Sequence, residues 1–212
     1  MRAYEFLTES PLPDDWDKDV YKSSSSYKKR IEYAVQRLKQ HGKGSARTAF
    51  TYEYQGRQTI LKVAHNAKGV AQNEVEAKIL TDSTAPYILI PIIDHADNYA
   101  WIHTEFAHKA TDAQLCKLLG TPSMGTLTSY AGMKRLGDTK FYRDEMHKIL
   151  ENLPTDTKTF EHYANQLSIL EERYGILLYD LRNSNNWGIY NNRPVIIDIG
   201  FTDTVVTTHY GR

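Results

Sequence analysis

The chain has little of three things that mark whole classes of protein: cysteine, long apolar runs and an excess of charge of one sign. Cys116 is the single cysteine among 212 residues, so no internal disulfide can form and a reducing cytoplasm is expected. The longest apolar run, about 87–93, is interrupted by Pro91 and falls far short of the ~20 residues of a membrane-spanning helix. Residues 1–19 carry acidic residues and prolines where a signal peptide would have an apolar core. We therefore expect a cytoplasmic protein with no membrane partner.

The balance of charge gives the chain no global attraction to polyanions. Lysine and arginine together number 26, and so do aspartate and glutamate, so nucleic-acid binding would need a local basic patch. The composition, 41% hydrophobic and 25% charged, is that of an ordinary globular protein. The length suits one domain or two small lobes around a cleft. We expect no nucleic-acid partner.

The first half of the chain has an arm-like start followed by a strand-rich region. Residues 1–26 are rich in proline, aspartate and serine and predict a flexible N-terminal arm. Residues 27–41 have helical spacing, although 38–42 could also be a strand that enters a glycine loop. The segments that follow predict a β-hairpin over 49–64, a helix over 70–80 and strands over 87–93 and 99–106.

The second half is helical and then ends in short strands. Residues 108–158 mix short helices with glycine and proline loops, and the clearest helix there covers 141–153. The apolar steps of three and four over 160–173 predict a strong amphipathic helix. The remaining apolar segments predict short strands over 176–178, 187–190 and 194–199.

Two carboxylates follow apolar strands near the end of the chain. Asp180 opens a loop that runs to Asn185, and Asp198 precedes Ile199-Gly200. Carboxylates beside a carboxamide form an oxygen-rich corner, which suits Mg²⁺ because this ion prefers oxygen ligands and keeps waters for exchange with phosphate. A carboxylate without metal can act as a base or orient a hydroxyl. Each aspartate alone is more often a turn or cap residue at a strand end, but together with Asn185 and Lys62 they favour a metal and phosphate site.

These two motifs resemble the catalytic loop and the Asp-Phe-Gly motif of protein kinases. They read Asp180-x-x-x-x-Asn185 and Asp198-Ile199-Gly200, and Asp198 stands 13 positions after Asn185. The resemblance implies that Asp180 is the catalytic base and that Asn185 and Asp198 hold Mg²⁺. Arg182 falls where kinases place a lysine that touches the transferred phosphate.

The first half resembles the small lobe of kinases in the same order. Residues 42–50 resemble the glycine-rich loop, in which Gly42, Gly44 and Ser45 would lie against the nucleotide phosphates. Ile60-Leu61-Lys62-Val63 resembles the strand whose lysine pairs with the phosphates.

Two further segments complete the resemblance to the small lobe. The helix over 73–80 would supply a glutamate partner for the strand lysine, with Glu76 favoured and Glu74 as the fallback. Residues 101–107 resemble the last strand and the hinge. Thr104 would guard the nucleotide pocket, and the backbone from Glu105 to Ala107 would bind adenine.

The chain departs from the kinase pattern at several places. Arg47 replaces the third glycine, where it would stiffen the loop or set a positive charge over the phosphates, and Ile60 would crowd an adenine ring. Residues 108–158 read as an insertion. Only 12 residues follow Gly200, so the resemblance implies a C-terminal lobe without the usual peptide-docking helices.

The resemblance to the protein-kinase-like superfamily implies an α+β, bilobal fold with a truncated C-terminal lobe. Its expected parts are an arm over 1–26, an N-lobe-like region over 27–107 and a C-lobe-like region over 108–212, with the insertion at about 108–158. The implied activity is transfer of the γ-phosphate of ATP, with Mg²⁺, to a hydroxyl of a protein or small molecule. A further hypothesis is a small-molecule phosphotransferase similar to the aminoglycoside phosphotransferases, which share the catalytic-loop pattern, and the absent peptide-docking helices favour it over a protein kinase.

The alternative is a catalytically inactive kinase-like module. It would be a binding or structural part of a larger assembly, held through the N-terminal arm or the insertion. The short length and the style of the N-terminus also suggest a bacteriophage-encoded protein, placed in the host cytoplasm or in the virion.

Overall fold

The structure, a computed structural model, describes residues 26–137, 139–153 and 156–211. The predicted N-terminal arm therefore lies outside the described residues, apart from Ser26. The described chain forms a five-stranded sheet with helices in its first half and a mainly helical region with a three-stranded sheet in its second half. The predicted fold class, α+β with a sheet-rich lobe and a helical lobe, is confirmed.

The sheet-rich lobe contains two helices and five strands with the spatial order β1-β2-β3-β5-β4. In chain order these elements are α1 (Tyr27–Arg37), β1 (Lys39–Lys43), β2 (Arg47–Tyr54), β3 (Arg57–Ala64), α2 (Ala67–Leu80), β4 (Ile92–His95) and β5 (Trp101–Glu105). Both interpretations of 27–41 hold in part, because a helix ends at Arg37 and a strand begins at Lys39. Gln55 and Gly56 both have positive φ, as a tight hairpin turn requires.

Helix α2 packs directly on the backbone that leads into β2. Its first turn is capped by Asn66, whose side chain accepts a hydrogen bond from the Gly69 backbone N–H at 3.0 Å. A Cβ on Gly69 would lie 2.2 Å from the carbonyl oxygen of Ala46, so only glycine allows this approach. The close packing fixes the face of α2 that carries Asn73 and Glu76 toward the sheet.

The helical lobe is built around α6, whose apolar face lies in the larger of two hydrophobic clusters. Its elements are β6 (His108–Lys109), α3 (Asp112–Leu119), α4 (Met124–Leu136), α5 (Lys140–Glu151), α6 (Lys158–Tyr174), 3₁₀ turns at Asp180–Arg182 and Ser184–Asn186, β7 (Trp187–Tyr190), β8 (Arg193–Ile196) and α7 (Asp203–Tyr210). Within the ranges described above, no helix is both long and apolar enough to cross a membrane.

Two predicted strands are mostly absent from the structure. Of residues 87–93 only the end joins β4, and the backbone of Ile88 and Ile90 instead bonds to Ile196 in the helical lobe, at 2.8 and 3.0 Å. Over 176–178 the structure has a single bridge, from Ile176 to Thr202. Both segments are apolar because they pass through the interior of the protein, and not because they pair as strands of a β-sheet. Helix α7 was not predicted.

Candidate active site

A cavity of about 550 Å³ lies between the two lobes. The glycine-containing turn between β1 and β2, the middle of β3, the end of β5 and the two 3₁₀ turns surround it. All the predicted site residues line it except Arg182 and Glu76: Gly42, Gly44, Ser45, Lys62, Thr104, Glu105, Ala107, Asp180, Asn185 and Asp198. The structure thus brings together side chains that are far apart in the sequence.

Lys62 is fixed at the centre of the sheet. Its backbone is in register with Ala49 on β2 and Ile102 on β5, so its side chain enters the cavity from a rigid strand. The ammonium group bonds to Glu76 Oε1 and to the carbonyl oxygen of Ile197. Glu76 is fully buried, so this ion pair is shielded from solvent.

The structure also separates the two glutamate candidates on α2. Glu74 lies on the exposed face of the helix and pairs with Lys78 at 2.7 Å, one turn further along. Glu74 does not line the cavity, and an exposed pair of this spacing contributes little to stability. Glu76 is therefore the partner of Lys62 in this structure.

Arg47 lies at the centre of the charge cluster. It is the first residue of β2 and only 7% exposed. One guanidinium nitrogen donates to Glu76 Oε2 at 2.6 Å and to Asn73 Oδ1 at 3.1 Å, and the other donates to Asp198 Oδ1. Burial acts to lower the pKa of Arg47, but the charges of Asp198 and Glu76 outweigh it, so the pKa lies above its ordinary value. The guanidinium remains a cation.

Asp198 follows β8 and faces the cavity. Burial acts to raise its pKa, but Arg47 and Lys62 together hold the pKa below the ordinary value. The side chain is still 48% exposed, and Arg47 contacts only one of its two oxygens. Asp198 is therefore an ionised carboxylate, half-exposed where it lines the cavity.

Gly200 explains how Asp198 is held against α2. A Cβ on Gly200 would lie 2.8 Å from the Cβ of Gln72 and 3.0 Å from the Gln72 carbonyl oxygen. Only glycine permits this contact between the segment after β8 and the helix. The Asp-Ile-Gly sequence thus places Asp198 two residues before the close contact that Gly200 makes with α2.

Asp180 lies in a 3₁₀ turn and lines the same cavity. Burial and the nearby charge of Asp198 raise its pKa to about 6. The Asn186 side chain donates to Asp180 Oδ2 at 2.8 Å and to its carbonyl oxygen at 2.9 Å, which fixes the carboxylate. A carboxylate with a pKa just below neutrality is suited to accept a proton.

The residues predicted to hold a metal are an exposed amide and a half-exposed carboxylate. Asn185 and Asp198 both line the cavity. Over the described ranges there is no cluster of three or more histidine, cysteine, aspartate or glutamate side chains that could hold an ion. Mg²⁺ is commonly held by one or two protein oxygens together with waters and phosphates. The donor set therefore fits Mg²⁺ that arrives with a phosphate ligand.

The predicted hinge follows β5. Thr104 is buried and lies in register with Ile60 on β3, so both side chains narrow the inner end of the cavity. The side chain of Glu105 is held by Arg57 at 2.9 Å, and its backbone N–H donates to Pro91 O at 3.0 Å. Arg57 therefore neutralises the carboxylate of Glu105, and the backbone at this position is fixed.

Arg182 is held away from the cavity. Its guanidinium donates to Thr128 Oγ1 and Ser129 Oγ on α4, each at 3.3 Å. The side chain is exposed and does not line the cavity. A contact between Arg182 and a transferred phosphate would need a different orientation of this side chain, and it stays a prediction.

The sequence did not reveal three contacts of the site. Asn73 orients Arg47 and is itself fixed by a 2.9 Å bond to Tyr99 O. Asn186, directly after the predicted metal ligand, positions Asp180. Arg47 was noticed only as a departure from the glycine pattern. An arginine at a loop position where glycine is expected was the one available signal.

No protein-family model and no curated protein matches the chain. Solved structures that align with it include that of aminoglycoside phosphotransferase APH(4)-Ia, at 16% identity and a TM-score of 0.29 over 50% of this chain. The apo form of a thermostable mutant of that protein aligns at 12% identity and a TM-score of 0.33 over 76% of this chain and 66% of the other. The streptomycin–ATP–APH(2")-IIa ternary complex aligns at 16% identity and a TM-score of 0.34, over 88% and 71%.

The matched region covers 37% of the first of these chains.

Proposed function

We propose that the chain is a phosphotransferase that moves the γ-phosphate of ATP to a hydroxyl group of an acceptor. One observation carries the proposal. A single cavity is lined by a lysine with a buried glutamate partner, by the carboxylates of Asp180 and Asp198 and by a glycine-containing turn. Phosphoryl transfer needs mainly positioning and charge neutralisation, and these groups supply both.

The nucleotide would enter with its base at the hinge and its phosphates toward the glycine-containing turn. Adenine would bind beside Thr104 and against the segment from Glu105 to Ala107, whose two end residues line the cavity. Backbone N–H groups near glycine can approach phosphate closely, and Gly42 and Gly44 both line the cavity. Lys62 would neutralise the phosphates, because Glu76 holds its ammonium group at the cavity wall.

Asn185 and Asp198 would hold Mg²⁺ with the phosphates. The ion would supply positive charge to the phosphate oxygens as negative charge develops there. Asp198 is suited to this because its lowered pKa keeps it ionised at neutral pH.

Asp180 would take the proton from the acceptor hydroxyl. As the acceptor oxygen forms a bond to the γ-phosphorus, the bond from that phosphorus to the β-phosphate oxygen breaks, and ADP leaves with the electron pair. With a pKa of about 6, Asp180 is mostly ionised above neutrality and can accept the proton. Asn186 keeps the carboxylate aimed into the cavity.

We also propose that α4, which lies within residues 108–158, forms the acceptor side of the site. Helix α4 lies beside the catalytic turn, because Arg182 bonds to Thr128 and Ser129 on it. A segment in this place can contact a small molecule or a protein that presents its hydroxyl to Asp180.

The test follows γ-labelled ATP with Mg²⁺, measuring both label on acceptor or protein and loss of ATP. We expect turnover in the unaltered chain and none in Asp180→Ala or Asp198→Ala. Asp203→Ala is the matched control, since Asp203 lies in the first turn of α7 outside the cavity. Turnover that survives both cavity substitutions would contradict the proposal, and so would the absence of both turnover and ATP binding.

A second candidate is a kinase-like module that binds nucleotide without turnover. It is favoured by the pairing of Asp198 with Arg47, which already neutralises the carboxylate meant for the metal. This candidate predicts that ATP raises the melting temperature, while ATP loss equals that of Asp180→Ala.

A further inference from the structure

Arg47 introduces a second resident cation into a site that already has one. The cluster holds two cations, Lys62 and Arg47, against two carboxylates, Glu76 and Asp198. Within these ion pairs two positive charges meet two negative charges, and the Asp180 carboxylate adds a further negative charge nearby. The carboxylate that would receive a metal ion is therefore already matched by an internal partner.

We propose that Arg47 holds Asp198 in the ligand-free protein and passes to the nucleotide phosphates when the nucleotide and metal ion bind. Arg47 is then a further nucleotide-binding residue of this chain. The inference rests on the proposed function, because it needs a phosphate ligand in the same cavity.

The backbone at Arg47 is fixed, so the exchange would involve the side chain alone. The carbonyl oxygen of Arg47 accepts from the Gly44 N–H at 2.9 Å, and the carbonyl of Ala46 accepts from the His65 N–H at 3.0 Å. Gly69 packs closely against the same Ala46 carbonyl group. Because the backbone is fixed and the arginine side chain is long, the guanidinium can move a short distance within the cavity.

The partners of the guanidinium determine which contact is exchanged. Glu76 and Asn73 are both fully buried and stay where α2 holds them. Asp198 is half exposed and faces the cavity, so it is the partner that a metal ion can reach. A guanidinium that gives up Asp198 needs another anion, and its planar fork matches a phosphate group.

Two linked affinities follow. A divalent cation alone must compete with Arg47 for Asp198, so its affinity is low without nucleotide. A nucleotide that takes the guanidinium frees Asp198, so nucleotide and metal ion favour each other's binding. Removing the guanidinium should strengthen binding of the metal ion alone and weaken binding of the nucleotide.

The experiment measures Mn²⁺ binding by electron paramagnetic resonance without nucleotide, and ATP binding with saturating Mn²⁺ by calorimetry. We expect Arg47→Gln to bind Mn²⁺ alone about fivefold or more tightly than the unaltered chain, and to bind ATP about tenfold more weakly. Arg47→Lys should release Asp198 in the same way, because one ammonium group lacks the fork that reaches both carboxylates. Arg47→Lys therefore tests the inference if Arg47→Gln does not fold.

Lys78→Gln is the control, since Lys78 is exposed and pairs only with Glu74 among the ion pairs of the described chain; it should change neither affinity. Unchanged Mn²⁺ and ATP affinities in both Arg47 variants would overturn the inference and leave the proposed function standing. No ATP binding by the unaltered chain, with or without Mn²⁺, would overturn both.

Discussion

Arg47 Nη1 lies 2.6 Å from Glu76 Oε2 and so joins strand β2 to helix α2. Lys62, on strand β3, bonds to the same carboxylate. Glu76 is fully buried and Arg47 nearly so, so each charge depends on the other for solvation. Arg47 and Lys62 take different oxygens of the same carboxylate. Loss of that carboxylate would leave two cations in the interior of the site.

Glu76→Ala should therefore be strongly destabilising. Removing one partner of a buried ion pair typically costs about 3–5 kcal/mol, and here two cations lose their partner. Glu74→Ala is the matched control on the same helix, and its exposed pair is worth at most about 0.5 kcal/mol. Chemical denaturation gives both free energies of unfolding. Equal losses in the two variants would show that Glu76 has no special place in the fold.

The pH dependence of turnover should report Asp180. Its pKa is raised to about 6, and the ionised form is the one that accepts a proton. The value of kcat/KM should therefore be constant above neutrality and fall as the pH drops through about 6. A profile that stays flat down to pH 4.5 would mean that Asp180 is not the base.

Asn186→Ala should move that limb to higher pH. The hydrogen bond from Asn186 favours the ionised form of Asp180 and acts to lower its pKa, so its loss raises the pKa further. Asn185→Ala is the comparison variant. It removes a predicted metal ligand, so it should change the Mn²⁺ or Mg²⁺ concentration needed for half-maximal rate. If the limb does not move in Asn186→Ala, the hydrogen bond does not tune the base.

Gly200→Ala should destabilise the protein through a clash with α2. The added Cβ would meet the backbone of Gln72 at 3.0 Å, and crowding of this kind costs about 1–3 kcal/mol. Gly132→Ala, in the middle of α4, is the control, since the nearest atom would be 4.0 Å away, on Leu178. That change should be neutral or stabilising by up to about 1 kcal/mol. Thermal melts separate the two cases.

The elements with strong local patterns could be predicted from the sequence. The alternation along 49–64 with its Gln55-Gly56 turn gave the β2–β3 hairpin, and the apolar steps over 160–173 gave α6. Helix α7 could not be found in this way. Its sequence is mostly valine and threonine, which favour strands. The helix instead has a cap from Thr202 to Val205 N–H at 3.2 Å and packs on α2.

The candidate site was predicted as a set of residues but not as a set of contacts. Motif order indicated Lys62, Asp180 and Asp198, and the structure places all three on one cavity. The bond from Arg47 to Asp198 joins residues 151 positions apart, and no local pattern encodes such a contact. Arg182 is the opposite case. Motif order indicated a role for it at the site, but its side chain is held by α4, a helix that the sequence did not define.

The most direct test of the central claim is a calorimetric titration of the chain with ATP in the presence of Mg²⁺, beside Lys62→Met and Asp198→Ala. The account predicts one saturable site in the unaltered chain and affinities lower by about tenfold or more in both variants. Binding of equal strength in all three proteins, or none in the unaltered chain, would contradict a nucleotide site in this cavity.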